Sequence, residues 1–138
     1  MAAKWLLKSD PECYSFHDLR RDKKTVWDGI SNNLALKNLR TARAGDMALI
    51  YHSGSEKCLA GLAQIVSDPY IDPKQDDPRL MVVDIEARGE LPRRVSLAEV
   101  KERAAFQNFA LVRLPRLSFM PVTDAQWKAL MKLAGAPA

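Results

Sequence analysis

The sequence predicts an α+β fold in which short α-helices surround a small, mostly antiparallel β-barrel. About six short apolar runs with strand-like patterning alternate with segments that carry helix-capping residues. Hydrophobic residues make up 47% and charged residues 28% of the chain, as in ordinary globular proteins. The 138 residues correspond to one domain, over residues 1–138, that can bury a core of its own.

The first half of the chain predicts four strands and two helices. Ser15, followed three residues later by Asp18, has the spacing of a capping box that begins a helical turn. Asn32 or Asn33 caps a longer helix. In order, the predicted elements are a buried strand at Trp5-Leu6-Leu7, a helical turn at 16–21, a strand at 25–27, a helix to about residue 43, and a hairpin of strands at 47–52 and 58–66.

The second half predicts further strands and two more capped helices. Ser96 with Glu99, and Thr123 with Gln126, repeat the capping-box spacing. Several prolines and aspartates favour turns between residues 67 and 79. In order, the predicted elements are a surface loop at 67–79, a strand at 80–87, a connection that contains Pro92, a helix from Ser96 to about residue 103, strands at 109–113 and 117–120, and a final helix that buries Trp127, Leu130, Met131 and Ala134.

Composition and spacing exclude several classes of function. The longest apolar run, residues 47–51, is far shorter than the roughly 20 residues of a membrane span, and the N-terminus leaves no room for a secretory leader. We therefore expect a monomeric protein of the cytoplasm, or of the nucleus in a eukaryote. The two cysteines form no metal-binding cluster, and the six glycines match no phosphate-binding loop, so we expect no metal and no cofactor. A net charge of +4 favours polyanionic partners.

The most informative group of residues is Trp27-Asp28-Gly29, at the end of a predicted strand. An indole face stacks on any nucleobase, and a carboxylate accepts hydrogen bonds from an exocyclic amine such as that of cytosine. These are the parts of a base pocket. The alternative is that Trp27 belongs to the core and that Asp28 caps the following turn, which is the commoner role of such residues.

Cations stand at two other places that a nucleic acid could contact. Lys8 and Ser9 end the first predicted strand, where a cation and a hydroxyl can meet a phosphate and a base edge. Lys37, Arg40 and Arg43 share one face of the predicted second helix and can neutralise about three phosphates. The alternative for this stripe is the solvated face of an amphipathic helix. Arg113 and Arg116, near the other end of the chain, are secondary candidates for an extension of the same surface.

Nucleophilic catalysis would have to use one of only two histidines. His52 stands beside Ser53 at a strand end, so a Ser-His pair is conceivable, but the chain has no Gly-x-Ser-x-Gly elbow. We therefore expect no catalytic residues and no enzyme activity, with a small enzyme that acts on a nucleotide-like ligand through His52 and Ser53 as the alternative.

Motifs along nearly the whole chain resemble those of the EVE domain family. They are Trp5-Leu6-Leu7-Lys8-Ser9-Asp10-Pro11, Tyr14-Ser15, Asp18-Leu19, Trp27-Asp28-Gly29-Ile30, Asn32, Asn38-Leu39-Arg40, Gly45-Asp46, Tyr51-His52-Ser53, Gly61, Asp72-Pro73, Val83-Asp84, Pro92, Val95-Ser96-Leu97, Arg116-Leu117-Ser118 and Pro121-Val122-Thr123. The resemblance implies a PUA-like, mostly antiparallel β pseudobarrel, related to the YTH readers of methylated adenine. It also implies a partner: RNA or DNA with a modified base, such as a modified cytosine.

The resemblance assigns roles to residues of this chain. Trp27 would form a wall of the pocket, Asp28 would accept from the amine of the base, and Lys8 and Ser9 would contact the base from the first strand. The remaining pocket residues that it implies are Tyr51, His52, Ser53 and Asn32. Base flipping fits such a site, because the cost of unstacking is recovered inside a closed pocket.

The sequence departs from the family next to the Trp-Asp-Gly segment. Ser31 stands where the family usually has Arg, and Asn33, Leu34 and Leu36 replace the common Tyr, Gln and Arg. These changes remove a ring and cations from the region beside the expected pocket. A further hypothesis is therefore an interaction module that has lost base binding.

Overall fold

The structure is a computed structural model that describes residues 2–136. Seven strands, five α-helices and one 3-10 helix form the described part of the chain. The strands are β1 Lys4–Ser9, β2 Lys24–Trp27, β3 Met47–His52, β4 Cys58–Ile65, β5 Tyr70–Ile71, β6 Met81–Ser96 and β7 Phe119–Pro121. The helices are α1 Phe16–Asp22, α2 Asn33–Thr41, α3 Leu97–Lys101, α4 Ala110–Arg113 and α5 Asp124–Leu133, with the 3-10 helix at Ala104–Phe106.

One sheet contains the strands in the order β2-β6-β4-β3-β1-β7, and β5 pairs with β6 beside this path. Strands β1 and β3 run parallel, and every other pair in the described chain is antiparallel. The mostly antiparallel α+β class is therefore confirmed. The two end strands, β2 and β7, do not pair with each other. The gap between these two unpaired ends of the sheet is called the seam here. Helix α2 packs against both β6 and β7, and thus covers the seam.

The helix starts follow the capping residues that the sequence indicates. Ser15, Ser96 and Thr123 each accept from the backbone N–H three residues on, and the side chain of that third residue returns the bond, so all three capping boxes are confirmed. Asn32 caps α2, because its side chain accepts from the N–H of Ala35 at 3.0 Å. The last helix buries its predicted stripe of Trp127, Leu130, Met131 and Ala134.

Two predictions for the second half were wrong in their extent. Strand β6 continues through the expected connection to Ser96, and Pro92 lies inside it. The register between β4 and β6 is irregular there, with no partner between Glu90 and Val95, so the missing N–H of proline breaks no ladder bond. The predicted loop at 67–79 contains β5, which pairs with Met81 and Val82.

The prediction of a strand at 109–113 was also wrong, because these residues form helix α4. Phe109 and Leu111 are both buried, which a strand and a short helix satisfy equally well. The Phe109 ring lies 5.7 Å from that of Phe106, three residues earlier, and this spacing is helical. The strand expected at 117–120 is β7, shifted to Phe119–Pro121.

A close contact between Gly61 and Phe16 joins α1 to the sheet. The Phe16 ring is 2% exposed and lies against the backbone of Gly61 in β4. A Cβ atom added to Gly61 would lie 2.3 Å from Cε1 and Cζ of this ring. Glycine at position 61 therefore allows α1 to pack directly on the sheet.

Candidate functional site

A hollow of about 700 Å³ opens at one end of the curved sheet. Its walls come from the end of β1, the loop that follows β1, strand β2 and the segment after β2. The lining residues are Lys8, Ser9, Asp10, Cys13, Tyr14, Thr25, Val26, Trp27, Asp28, Gly29, Ile30, Lys74 and Ser118. The volume lies within the range of small-molecule pockets in proteins.

The curl of the sheet produces this hollow. Three strands separate β1 from β2 in the strand order, yet Lys8 and Ser9 of β1 face the same space as Trp27 of β2. Since β2 has β6 as its one neighbour in the described sheet, its other edge is left open toward the hollow. The site therefore occupies the seam where the two ends of the sheet approach each other without pairing.

Trp27 belongs both to the core and to the wall of the hollow. Its side chain is 8% exposed and packs with the core, while part of it borders the hollow. The Tyr14 ring meets it edge-on, with 6.4 Å between the ring centroids. The Tyr14 hydroxyl donates to Oδ2 of Asp22 at 2.8 Å, and burial raises the pKa of Tyr14, so the phenol stays protonated. The indole is thus held in a fixed orientation.

Asp28 presents a carboxylate to the hollow. The residue is exposed, and within residues 2–136 its side chain has no hydrogen bond or ion pair. Gly29 follows with a φ of +78°, a left-handed conformation that favours glycine and turns the chain away after the carboxylate. Both carboxylate oxygens are therefore free to accept bonds from a ligand.

Lys8 and Ser9 supply polar groups from the opposite wall. The Lys8 ammonium donates to the carbonyl of Pro115 at 2.7 Å and lies 5.6 Å from the centre of the Tyr51 ring. Partial burial lowers the pKa of Lys8. The Ser9 hydroxyl donates to the carbonyl of Tyr14, which leaves its oxygen able to accept a bond.

Several lining residues were not predicted for the site. Tyr14 stands in a recognised motif, but a motif position alone does not distinguish a wall residue from a core residue. The same holds for Ser118, which stands in the Arg116-Leu117-Ser118 motif and reaches the hollow from the approach to β7. Cys13 and Lys74 carry no such signal, since they reach the hollow from a loop and from a distant turn. Their positions depend on the path of the whole sheet.

Tyr51, His52, Ser53 and Asn32 lie outside the walls of the hollow. Tyr51 is 3% exposed and sits behind Lys8. The Ser53 N–H donates to the carbonyl of Ser9 at 2.9 Å, and Asn32 caps α2. These four residues therefore do not line the hollow, and their contact with a base stays a prediction.

His52 is a structural anchor that holds three segments together. The N–H of Phe16, at the start of α1, donates to Nε2 of His52 at 2.9 Å, so that nitrogen carries no proton. Nδ1 then carries the proton and donates to Oε1 of Glu56 at 2.9 Å. Hydrogen bonds from His52 and Arg94 hold the pKa of Glu56 below its ordinary value. With both nitrogens engaged and 2% of the side chain exposed, His52 is not available as a catalytic base.

We expect His52→Ala to lower the free energy of unfolding by about 2–3 kcal/mol, because the buried Phe16 N–H loses its partner. Urea unfolding followed by circular dichroism measures this loss. His17 is the matched control, since it lies exposed on α1, and His17→Ala should change stability by less than about 0.5 kcal/mol. Equal effects of the two substitutions would contradict the anchor role.

Lys37, Arg40 and Arg43 lie outside the hollow, on or just after α2. Arg40 donates from Nη2 to the carbonyl of Arg79 at 2.9 Å. Arg43 donates from Nη1 to the carbonyls of Arg40 at 2.9 Å and Ala42 at 2.6 Å. Arg43 thus satisfies carbonyl groups at the end of α2, Arg40 joins α2 to the loop before β6, and all three residues stay exposed. Their contact with phosphate remains a prediction.

No helix within residues 2–136 is both long enough and apolar enough to cross a bilayer.

A model of the EVE domain matches residues 3–133. Human thymocyte nuclear protein 1 is 30% identical to this chain in an alignment that covers 96% of this chain and 74% of that protein.

Solved structures resemble the whole described fold. An NMR structure of a Rhodopseudomonas palustris protein has a TM-score of 0.92 and 34% identity, and the match covers 97% of this chain and 94% of that one. The crystal structure of human THYN1 in complex with 5-methylcytosine-containing DNA has a TM-score of 0.89 and 29% identity, and covers 99% of this chain and 100% of that one. The expected PUA-like fold is thereby confirmed. On these matches, the chain belongs to the EVE domain family.

Proposed function

We propose that this protein binds nucleic acid and receives a flipped, modified base, with methylated cytosine as the first candidate, in the hollow between β1 and β2. The observation that carries the proposal is the pairing of a fixed indole, Trp27, with a free carboxylate, Asp28, at one solvent-accessible hollow. The human THYN1 structure, in complex with 5-methylcytosine-containing DNA, supports this ligand class.

The polar groups of the hollow match the edge of a cytosine. Asp28 can accept from the exocyclic N4 amine, which is the group that distinguishes cytosine from thymine. Ser9 can accept a further bond through its oxygen, and Lys8 retains donors beyond the one it gives to Pro115. Trp27 offers an apolar surface for the ring and its methyl group.

The energetics of the proposal agree with base flipping. Extruding a base costs a few kcal/mol in lost stacking and pairing. Stacking against an aromatic wall returns about 1–3 kcal/mol. A hydrogen bond to a charged group such as the Asp28 carboxylate returns about 1.5–3 kcal/mol. Because Tyr14 fixes the indole before a base arrives, little further ordering is needed on binding.

The test of base selection compares 5-methylcytosine with thymine at one position of a single-stranded oligonucleotide. The two bases share the methyl group, but thymine presents an O4 acceptor in place of the amine. We expect wild-type protein to favour 5-methylcytosine by about 10-fold or more, and Asp28→Asn to remove most of this difference, because an amide can also donate to O4. Fluorescence anisotropy titrations measure the four affinities.

Asp76 provides the matched control for charge. It is exposed in the loop before β6, and Asp76→Asn removes the same charge without touching the hollow. This variant should keep the wild-type preference. If wild-type protein bound the two bases equally, or if both variants changed the preference alike, recognition by Asp28 would be excluded. RNA strands with the same bases form a second series.

A further inference from the structure

A shallow surface of about 300 Å³ adjoins the hollow, and we call it the 113–117 groove. Its lining residues are Asn32, Leu34, Arg113, Leu114, Pro115, Arg116 and Leu117. Leu34 is 44% and Leu114 is 45% exposed, so two large apolar side chains face solvent here. Both leucines line the same groove, so they give it an apolar surface that a sugar or a base can contact.

Two segments of the chain connect this groove to the hollow. The segment after β2 contributes Ile30 to the hollow and, two and four residues later, Asn32 and Leu34 to the groove. On the other side, the turn before β7 contributes Pro115 to the groove and Ser118 to the hollow. A nucleic-acid strand whose flipped base enters the hollow can therefore continue directly onto the groove.

Lys8 also ties the two surfaces together. Its ammonium lies in the wall of the hollow and donates to the carbonyl of Pro115 at 2.7 Å, while the N–H of Lys8 donates to the carbonyl of Ser118 at 3.0 Å. The turn that carries Arg116 is thus fixed relative to the hollow.

The charge of the groove is complementary to a polyanion. Arg113 and Arg116 are exposed, and no acidic residue is among the described residues that line the groove. Within residues 2–136 neither guanidinium has an ion pair or a hydrogen bond. By contrast, Arg40 and Arg43 donate to backbone carbonyls. Arg113 and Arg116 therefore keep all their donors for an external anion, which a phosphate matches in geometry.

We propose that the 113–117 groove binds the nucleotides that flank the flipped base in the same strand, with Arg113 and Arg116 on the phosphates and Leu34 and Leu114 against the neighbouring sugar or base. This inference rests on the proposed function of the hollow. It assigns the phosphate contacts to Arg113 and Arg116, which the sequence offers only as secondary candidates after Lys37, Arg40 and Arg43.

The test measures binding of a 15-base-pair duplex with one central 5-methylcytosine at several salt concentrations. Each phosphate contact on duplex DNA contributes about 0.9 to the slope of log affinity against log salt, so Arg113→Ala/Arg116→Ala should reduce that slope by nearly 2. Raising the salt from about 50 to 200 mM should then cost this variant roughly ten-fold less affinity than it costs wild-type protein.

Two further variants make the test specific. Lys101→Ala/Lys128→Ala removes the same charge from exposed positions that line neither the hollow nor the groove, and should leave the slope within a few tenths of the wild-type value. Leu34→Ser/Leu114→Ser should weaken duplex binding by several-fold without changing the slope. Both leucines are exposed, so thermal unfolding should show an intact fold.

The isolated nucleoside 5-methyl-2′-deoxycytidine separates the groove from the hollow, because it has no flanking phosphates. Its affinity, measured by NMR titration, should be unchanged in the groove variants. A salt slope equal to that of wild type in Arg113→Ala/Arg116→Ala, or a slope that falls equally in the lysine control, would overturn the groove proposal while leaving the hollow intact. Equal binding of methylated and unmethylated duplexes by wild-type protein would overturn the proposed function itself.

Discussion

Replacing Trp27 with alanine is expected to abolish the preference for a methylated cytosine. The indole is a large aromatic wall whose orientation the Tyr14 ring fixes, and stacking of a base on such a ring is worth about 1–3 kcal/mol, or roughly 5- to 150-fold in affinity. Titration of duplexes that differ by one methyl group measures the effect. The residual affinity of the variant should be the same for methylated and unmethylated duplexes and should fall as salt rises, as for a generic polyanion binder.

Because Trp27 also packs in the core, a conservative pair of variants keeps this prediction testable. Trp127 on α5 is 4% exposed and lines neither the hollow nor the 113–117 groove. Trp27→Phe should lower the methylated-duplex affinity with a modest loss of stability, whereas Trp127→Phe should lower stability alone. An undiminished preference in a folded Trp27 variant would contradict the role of the indole.

The location of the ligand can be read from the two cysteines. Cys13 is exposed in the wall of the hollow, and Cys58 is buried in β4. Bound methylated DNA should therefore slow alkylation of Cys13 by iodoacetamide, while Cys58 remains unreactive in the native protein throughout. Unchanged alkylation of Cys13 at saturating DNA would place the ligand elsewhere.

Gly61→Ala is expected to lower the free energy of unfolding by about 3 kcal/mol or more. The added methyl group would lie 2.3 Å from the Phe16 ring, far inside van der Waals contact, so α1 must shift away from the sheet. Overpacking of a tight core commonly costs about 1–3 kcal/mol, and here the movement also strains the bond from the Phe16 N–H to His52. Chemical unfolding measures the loss.

Gly89 supplies the matched control within the same sheet. It lies in β6, opposite Leu62 of β4, and a Cβ added there meets nothing within 4 Å. Gly89→Ala should be neutral or slightly stabilising, by less than about 1 kcal/mol. Adding Phe16→Leu to Gly61→Ala should give less than the sum of the single losses, since the smaller side chain relieves the clash. Strict additivity would argue against this contact as the cause.

Local features of this fold were predictable from the sequence because short-range chemistry determines them. Ser15, Ser96 and Thr123 each begin a helix with a partner three residues away, and no distant residue is needed for that bond. Helix α4 was missed for the opposite reason. A four-residue apolar element is too short to show a period, so packing decides between strand and helix.

The candidate site was predictable only in part, because its walls are assembled over long distances in the chain. Adjacency along the chain and family motifs singled out Trp27, Asp28, Lys8 and Ser9, and the curl of the sheet brings these four to one hollow. The motif that contains His52 did not show that its ring faces inward, since that depends on the N–H of Phe16, 36 residues away. The roles of all these residues toward a base stay predictions.

The unpaired seam between the two ends of the sheet has an evolutionary consequence. Residues on either side of it are joined through side chains and an overlying helix, and no ladder of backbone bonds crosses between β2 and β7. Mutations there can widen or narrow the hollow, or change the polarity of its walls, without disrupting the paired strands that support it. A scaffold of this kind can diversify its choice of ligand while each intermediate stays folded.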